Sequence, residues 1–508
     1  MSACRLHALR VLVLGGLAGC WAEAPVTPVT TDPAAAVVGV GGLGAASLSA
    51  VSGVAPSAGR YLVLLKDGQG SSDALRAVLQ DGGGRLEGLH EDLGFAVVSG
   101  LAADAAERLG RAAGVMAVEP DIEFSLGQVR ETEALNGTEL GLESAAAPQT
   151  AALYARQWNM RAVAADAAWA GGFLGSSNVT VAILDTGIDY LWPDLAGRVD
   201  LARSISLRPD EDARLATWFG PLGRHPITDL NAHGTLVSSI VASNSALFAG
   251  VTTRTTLFGV KVCIVFNTCS TSATLNGIVY AVDNGADVIN MSLGGAFLKS
   301  GSRGFVSVIN RVFDYANKHG TLIVVAAGND SMDIDHSGNI YNTYCNSPHV
   351  VCVSATGPTA APTAAGPFTN PDAVAPYTNF GRSGISLAAP GGGVTTGNAF
   401  VTGPCSSTAL AWFQPPRPTP EAPLPPPVIL GPGCPLPGLF LIRGAGTSFS
   451  SPHVAGAAAQ LVALLGRGRP AQVRAALQSS ADDLGQAGTD PFYGKGRLNV
   501  ARAVGAIP

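Results

Sequence analysis

The chain has 508 residues, a net charge of −6 and a composition that is 47% hydrophobic but only 13% charged. This length allows a large core in one large domain plus a smaller one. The mild acidity, with no basic cluster, excludes nucleic acid as an expected partner. The 63 glycines follow no strict period, which argues against a fibrous protein.

Residues 1–19 are typical of a signal peptide, since two arginines precede an apolar run (11–17) that is too short to span a bilayer. Two cleavage sites compete. LAGC (17–20) is typical of a bacterial lipoprotein whose first residue is a lipidated Cys20, whereas AEA (22–24) would release a freely secreted protein. We favour Cys20 because its motif directly follows the apolar run. We therefore expect an exported protein that is lipid-anchored at the bacterial cell envelope, with no other membrane contact.

Two segments follow the leader. Residues 20–59 are rich in Pro, Ala, Gly and Ser, which predicts a flexible tether. Residues 60–126 form a compact unit of short apolar elements. We predict strand 61–65, helix 72–80, strands 85–89 and 94–100, helix 104–113 and strand 115–118. This β-α-β-β-α-β order predicts a small α+β module with a ferredoxin-like fold.

The region from residue 157 onwards alternates strands and helices. We predict strands at 179–184, 256–262, 288–291 and 322–327, and helices at 233–242, 273–284 and 306–319, with a further helix after Ser448. This alternation predicts an α/β fold with a parallel sheet covered by helices on both faces. Residues 412–435 contain PPRPTPEAPLPPP and predict an extended surface loop.

Six cysteines lie in this large region. An even number in an exported chain indicates disulfides, although six cysteines allow 15 pairings. We expect nearest neighbours to pair: Cys263 with Cys269, Cys345 with Cys352, and Cys405 with Cys434.

Three motifs of the large region supply the residue types of nucleophilic catalysis. In NVTVAILDTGID, Asp185 lies at the end of a buried strand, and in NAHGT, His233 opens a helix. In GTSFSSPHVAG, Ser448 lies at or next to the start of an apolar helix, where free N–H groups favour an oxyanion. Each residue alone has an ordinary structural explanation. Together they supply a nucleophile, a base and a carboxylate that orients the base.

On the motifs VAILDTGID, HGT and GTSxxSPHVAG, the chain from about residue 157 to the C-terminus resembles the subtilisin-like serine proteases, or subtilases, of peptidase family S8. The resemblance implies a three-layer subtilisin-like fold. It also implies a serine endopeptidase in which Asp185, His233 and Ser448 hydrolyse peptide bonds through an acyl-enzyme, without a cofactor for the chemistry.

Two further motifs gain a meaning from the resemblance. In TLIVVAAGND, Asn329 matches an asparagine whose side chain donates to the oxyanion, with the serine backbone N–H as second donor. In INMSLGG, the residues Ser292, Leu293 and Gly294 match an edge that pairs with the substrate backbone.

The resemblance extends to residues 60–126. Their GFAVV segment and VEPD ending resemble the inhibitory, I9-like pro-domain of subtilases, which assists folding and blocks the cleft until it is cut off. Residues 127–156 would be the processing linker, and residues 157–508 a peptidase domain. We expect a monomer that acts on proteins or peptides and has its own pro-domain as intramolecular inhibitor. A free-standing binding module is the alternative for 60–126.

The resemblance to the family is incomplete at one expected calcium site. Asp194 matches a family calcium ligand, but the loop 244–251 that would complete the site is short, so structural calcium is left open. Two other functions also stay open at this point. One is a non-catalytic surface protein that binds through a subtilase fold, and the other is a transpeptidase that transfers the acyl group to an amine.

Overall fold

A computed structural model describes residues 54–66, 71–126, 129–135, 147–220, 223–300, 303–342, 344–395, 397–415, 425–434 and 439–508. The predicted signal peptide, Cys20 and the tether up to residue 53 lie outside the described residues. So does the tip of the Pro-rich insertion, residues 416–424.

The N-terminal module has the predicted order of elements. It contains β1 (Val54–Leu65), α1 (Ser71–Gly82), β2 (Arg85–His90), β3 (Phe95–Ser99), α2 (Ala103–Gly110) and β4 (Val115–Ser125). Its strands form an antiparallel sheet in the order β2-β3-β1-β4, as in ferredoxin-like folds. Leu75, Leu79, Leu109 and Val98 are among the apolar residues of its core. The sequence-based prediction for this module is therefore confirmed at the level of secondary structure.

The module starts earlier than predicted. β1 begins at Val54, and Val54, Ala55 and Pro56 pair with β4 opposite Phe124, Glu123 and Ile122. The tether was predicted to extend to residue 59 because residues 20–59 are rich in Pro, Ala, Gly and Ser. Pairing with a distant strand, rather than local sequence, makes this segment extended.

The rest of the chain contributes fifteen further strands and nine further helices in the described ranges. In chain order they are β5 (Val129–Leu135), α3 (Trp158–Ala162), α4 (Ala165–Ala170), β6 (Thr180–Asp185), β7 (Ile205–Ser206), α5 (Pro209–Phe219), α6 (His233–Val241), β8 (Thr256–Lys261), β9 (Thr268–Ser270), α7 (Thr271–Asp283), β10 (Val288–Met291), β11 (Ala296–Leu298), α8 (Arg303–Lys318), β12 (Leu322–Ala326), β13 (Ile340–Asn342), β14 (Val351–Thr356), β15 (Leu387–Pro390), β16 (Val401–Pro404), β17 (Leu410–Phe413), β18 (Val428–Pro432), β19 (Leu439–Ala445), α9 (Ser451–Leu465), α10 (Pro470–Ser479) and α11 (Val500–Ala503).

A seven-stranded parallel sheet forms the centre, in the order β15-β14-β12-β10-β6-β8-β7. Successive side chains of β6 face opposite sides. Val181 and Ile183 pack in a core that includes residues of α6 and α9, and Ala182 and Leu184 pack in a core that includes residues of α7 and α8. Because strand side chains alternate, this division shows that helices cover both faces. The predicted three-layer fold is confirmed.

Smaller sheets surround the central one. β19 lies between β16 and β5, and both pairings are antiparallel. β17 and β18 form a hairpin at the base of the Pro-rich insertion. The three expected disulfides are present: Cys263–Cys269, Cys345–Cys352 and Cys405–Cys434, the last of which closes the insertion.

The N-terminal module packs directly on the large domain through β4. Its residues 123–125 pair antiparallel with β9, so the module's sheet continues into the large domain. The buried carboxylate of Asp121 accepts hydrogen bonds from the Ser270 hydroxyl and, at 2.8 Å, from the Ser272 N–H. A carboxylate at these positions satisfies free N–H groups at the start of α7 and complements its dipole.

Further polar contacts join the module to the same helix. Arg60 Nε donates to Ser272 Oγ over 2.9 Å, and His90 Nε2 lies 2.8 Å from Asn276 Oδ1. No helix in the described part of the chain has the length and apolar character needed to cross a bilayer.

Candidate active site

Asp185 and His233 form a short buried contact. Asp185 ends β6 and His233 begins α6, and Asp185 Oδ1 lies 2.6 Å from His233 Nδ1. The same oxygen accepts the Thr186 N–H over 2.7 Å. An ionised carboxylate only accepts hydrogen bonds, so Nδ1 must carry the proton. In a neutral imidazole this leaves Nε2 as the acceptor, which is the form a general base requires.

Asp229 organises the turn before His233, although the sequence analysis did not single it out. Its Oδ1 accepts from the Thr186 hydroxyl over 2.9 Å, and its Oδ2 accepts from the N–H and hydroxyl of Thr235. Thr186 Oγ1 in turn accepts the Gly234 N–H over 2.9 Å. One buried carboxylate thus ties the turn after β6 to the first turn of α6. The only sequence signal was an acidic residue shortly before a histidine that begins a helix.

Lys261 is a second residue that sequence reasoning missed. It ends β8, is fully buried, and donates from Nζ to the Thr228 carbonyl over 2.6 Å. Burial lowers the pKa of its ammonium group, while Glu211 and Asp229 oppose that change. Its positive charge therefore interacts with the carboxylates of Glu211 and Asp229.

Two glycines allow β6 and α6 to approach each other. A Cβ on Gly234 would lie 2.1 Å from the Gly187 carbonyl oxygen, and a Cβ on Gly187 would lie 2.3 Å from the Ile227 carbonyl oxygen. Gly187 also has φ of 121°, a conformation that other residues rarely adopt. A side chain at Gly234 would push the start of α6 away from the turn after β6, and one at Gly187 would displace that turn from the Ile227 carbonyl.

Ser448 lies beside His233, in a 3₁₀ turn (Thr447–Phe449) that directly precedes α9. The ring of the adjacent Phe449 is 5.5 Å from the His233 ring, centroid to centroid. The Ser448 hydroxyl donates to the Ser292 carbonyl over 3.0 Å, and the Ser292 hydroxyl donates back to the Ser448 carbonyl over 2.6 Å. The prediction that Ser448 lies next to the start of an apolar helix agrees with this placement.

The serine and histidine are neighbours without a hydrogen bond. His233 Nε2 is buried and has no hydrogen-bond partner among the described residues. Catalytic hydrogen bonds are often open in the absence of substrate, and a χ1 rotation of Ser448 changes its partner without moving the backbone. The structure thus brings the first two predicted triad residues into contact, and the turn that carries the third contacts His233 through the neighbouring Phe449.

Asn329 follows β12 and contacts the same 3₁₀ turn. Its Oδ1 accepts from the Thr447 N–H over 2.8 Å and from the Thr447 hydroxyl over 3.0 Å. The Gly328 N–H donates to that hydroxyl as well. These bonds fix the orientation of the amide, with its oxygen towards Thr447. The residue before the proposed nucleophile is thereby attached to the proposed oxyanion donor.

The edge Ser292–Gly294 follows β10, where its serine and leucine side chains are buried. Only its backbone is therefore suited to contact another chain. Beyond it, a Cβ on Gly295 would lie 2.8 Å from the Phe124 Cβ. Phe124 also pairs with β9, so the end of β4 contacts both β9 and the residue that follows this edge.

Leu126 and Val129, the described residues on either side of residues 127–128, both have backbone partners in the large domain. The Leu126 N–H donates to the Asn267 carbonyl over 2.8 Å at the end of β4. β5 begins at Val129, which pairs with Ala445, three residues before Ser448. The segment that the sequence analysis treated as a linker therefore contains a strand that it did not predict.

Asp194 was considered as a calcium ligand, and its surroundings do not fit that metal. Its carboxylate is buried and accepts from the N–H groups of Leu247 and Phe248, the Ser243 hydroxyl and the Trp192 indole. Calcium takes six to eight oxygen ligands, whereas these partners are donors. Burial raises the pKa of this carboxyl group. Among the described residues, no cluster of three acidic, histidine or cysteine side chains could hold a metal.

Comparison with known proteins agrees with this geometry. The sequence profile of the subtilase family matches residues 176–496. Subtilisin amylosacchariticus from Bacillus subtilis subsp. amylosacchariticus is 30% identical over 334 residues, which cover 65% of this chain and 67% of the relative. Thermitase from Thermoactinomyces vulgaris is 27% identical over 354 residues, which cover 69% of this chain and 96% of thermitase.

Solved structures show the same fold. The epidermin leader peptide processing serine protease from Staphylococcus aureus superposes with a TM-score of 0.62 at 18% identity, covering 88% of this chain and 97% of that protein. Fervidolysin from Fervidobacterium pennivorans, a keratinolytic enzyme related to subtilisin, gives a TM-score of 0.61 at 18% identity, covering 89% and 61%. The chain belongs to the subtilase family of serine proteases.

Proposed function

We propose that this protein is an exported serine endopeptidase made as a self-processing zymogen. Ser448 attacks the peptide carbonyl, and His233 Nε2 takes its proton and passes it to the leaving amine. Asp185 keeps the proton on Nδ1 and stabilises the imidazolium. Water then hydrolyses the acyl-enzyme. The observation that carries this proposal is the 2.6 Å contact between Asp185 and His233, which leaves Nε2 unpartnered beside the Ser448 turn.

The proposed oxyanion donors are the Asn329 Nδ2 and the Ser448 backbone N–H. The fixed orientation of the Asn329 amide supports this role, because a donor that need not reorganise stabilises developing charge best. The backbone of Ser292–Gly294 would pair with the substrate as an added strand. The proposed chemistry uses only groups of the chain itself.

The position of the N-terminal module supports its proposed role as an inhibitory pro-domain. Residues 123–126 bind along β9, and the Phe124 side chain lies against Gly295, next to the edge Ser292–Gly294 on which a substrate strand would pair. The chain reappears on β19 at Val129. We therefore place the self-cleavage between Leu126 and Val129, at the very start of the segment 127–156 that was expected to contain it.

Export is proposed on two features of the chain. The leader has the features of a signal peptide, and the three disulfides fit an oxidising compartment. Lipidation of Cys20 and the tether between it and the module remain proposals from the sequence.

The test compares intact masses of the purified wild-type protein, Ser448→Ala and a control variant, Ser479→Ala, which changes an exposed serine of α10. We expect the wild type and Ser479→Ala to lose a fragment that ends between Leu126 and Val129, and Ser448→Ala to stay uncut. If all three proteins stay intact, or all three are cut alike, self-processing through Ser448 is wrong.

Glu119 makes the packing of the module pH-dependent. This half-buried residue of β4 accepts the Phe305 N–H in the first turn of α8, and burial raises its pKa to about 7. A carboxyl group whose folded pKa is raised contributes stability below its unfolded pKa of about 4.5, and that contribution is lost as pH rises towards 7. Glu119→Gln removes this loss.

The effect is measured in the uncut Ser448→Ala background by thermal unfolding between pH 5 and pH 8. We expect the melting temperature of Glu119→Gln to exceed that of its parent least at pH 5 and most at pH 8, by a few degrees. Glu107→Gln, at an exposed position of α2, serves as the control and should follow the parent. A difference that does not change with pH would contradict the prediction.

A further inference from the structure

β5 occupies a backbone edge that leads directly into the proposed active site. All seven of its residues pair antiparallel with β19, from Val129 opposite Ala445 to Leu135 opposite Leu439. The other edge of β19 pairs with β16, so β5 covers the one edge that remains. If the chain is cut between Leu126 and Val129, β5 is the part that follows the cut bond. It therefore marks where the leaving side of a substrate would bind.

An arginine side chain of β19 places a positive charge next to this edge. Arg443 of β19 lies opposite Glu131, and its Nη2 is 3.4 Å from carboxylate oxygens of both Glu131 and Glu133. Its Nη1 donates to Asn398 Oδ1 over 3.0 Å, which fixes the guanidinium. With β5 in place, the Arg443 side chain is only 16% exposed, so solvent screens its charge in this bound arrangement less than that of a surface arginine. Arg156 adds a second cation, 3.0 Å from Glu133.

The space beside Arg443 is shaped for a carboxylate. A Cβ on Gly397 would lie 2.0 Å from Glu131 Oε2 and 2.9 Å from its Oε1. The absence of a side chain at Gly397 thus provides the room in which the Glu131 carboxylate lies. Arg443, Asn398 and Gly397 together are called the acidic subsite below.

We propose that the β19 edge binds the leaving side of protein substrates as an added antiparallel strand, and that the acidic subsite selects an acidic side chain there. The selected residue is the one opposite Arg443, two residues beyond the one opposite Ala445. In the uncut chain Glu131 fills this position as an internal ligand, and a substrate has to displace β5 from the edge to bind there. The proposal rests on the proposed protease function and adds a class of substrate to it: peptides with acidic residues a few positions after the cut bond.

The test uses the self-processed protein and synthetic peptides copied from residues 123–135 of the chain, EFSLGQVRETEAL. One peptide has the natural sequence, one has glutamine at both 131 and 133, and a control has glutamine only at 123. Casein is included as an unrelated substrate. We expect kcat/KM for the natural peptide to exceed that for the double-glutamine peptide by roughly five- to tenfold, with the control peptide close to the natural one. Salt at about 0.5 M should reduce the preference, because it screens partly exposed charges.

Two variants act on the acidic subsite in different ways. Arg443→Gln removes the charge, whereas Gly397→Ala keeps the charge and occupies the space of the carboxylate. Both should reduce the preference to within about twofold, while Arg469→Gln, at an exposed arginine before α10, should keep it.

The outcomes separate the two proposals. If the wild type cleaves neither casein nor any peptide, the protease function itself is wrong. If it cleaves casein but treats the natural and double-glutamine peptides alike, or cleaves neither of them, the acidic subsite is wrong and the protease function stands. A preference that persists unchanged in both Arg443→Gln and Gly397→Ala also overturns the subsite.

Discussion

Replacing Asp185 by asparagine is expected to lower kcat by roughly 10⁴-fold while leaving the fold intact. In the native protein one carboxylate oxygen accepts from both His233 Nδ1 and the Thr186 N–H. An asparagine that keeps its oxygen in this place preserves the tautomer but removes the charge that stabilises the imidazolium. One that turns its NH₂ group towards Nδ1 forces the proton onto Nε2, which then cannot act as a base.

The measurement is steady-state hydrolysis of a peptide by protein whose pro-domain has been removed, with Asp483→Asn as the matched control. Asp483 is exposed, and its side chain accepts a hydrogen bond from the Gly488 N–H. The control should retain wild-type kcat, and both variants should melt within a few degrees of the wild type. A decrease in kcat of less than tenfold in Asp185→Asn would mean that the Asp185–His233 pair does not supply the general base.

Replacing Asn329 by aspartate is expected to lower kcat by about 10²–10³-fold with little change in KM. This substitution separates two roles of Asn329, which are to hold Thr447 and to donate to the oxyanion. Its oxygen holds Thr447, and an aspartate oxygen can accept the same two hydrogen bonds. Its Nδ2 donor, the proposed oxyanion contact, is replaced by an oxygen that repels negative charge. The turn that carries Ser448 should stay in place while stabilisation of the transition state is lost.

The split between kcat and KM decides the interpretation of this variant. An interaction made only in the transition state lowers kcat and kcat/KM together, whereas lost substrate binding raises KM. Asn178→Asp, at an exposed position before β6, is the matched control and should behave as the wild type. An increase in KM at unchanged kcat would remove Asn329 from the oxyanion site and leave it only a structural role.

Local sequence was sufficient where structure follows from a short apolar run. β6 and its terminal Asp185 were predictable because a β-rich segment ends there in Thr-Gly. The serine helix was predictable for a related reason: α9 is apolar on nearly all sides, as a buried helix must be. His453 also lies on that helix. It is buried between the Phe449 carbonyl and the Asn159 amide, and burial lowers its pKa to about 4.

Features that depend on distant partners were not predictable from one sequence. β5 and the first residues of β1 are extended because each meets another strand far away in the chain. Asp229 and Lys261 look like ordinary charged residues, and only folding shows that both are buried next to the site. Burial of a charge depends on the whole folded structure, so a local sequence pattern does not predict it.

The continuous sheet formed by β4 and β9 has a consequence for the timing of activation. In the uncut chain the module meets its cleft within one molecule, so its local concentration there does not depend on how much protein is present. A cut between Leu126 and Val129 breaks none of the contacts between the module and the large domain, which include the β4–β9 pairing and the hydrogen bonds of Asp121 and Arg60. After the cut, however, the module and the large domain are two molecules, so the rate at which they reassociate depends on their concentrations. Dilution of the cut protein then favours dissociation of the module, which opens the cleft. If Cys20 is lipidated, the severed fragment keeps the anchor, and the peptidase domain would be switched on by the volume into which it can itself diffuse.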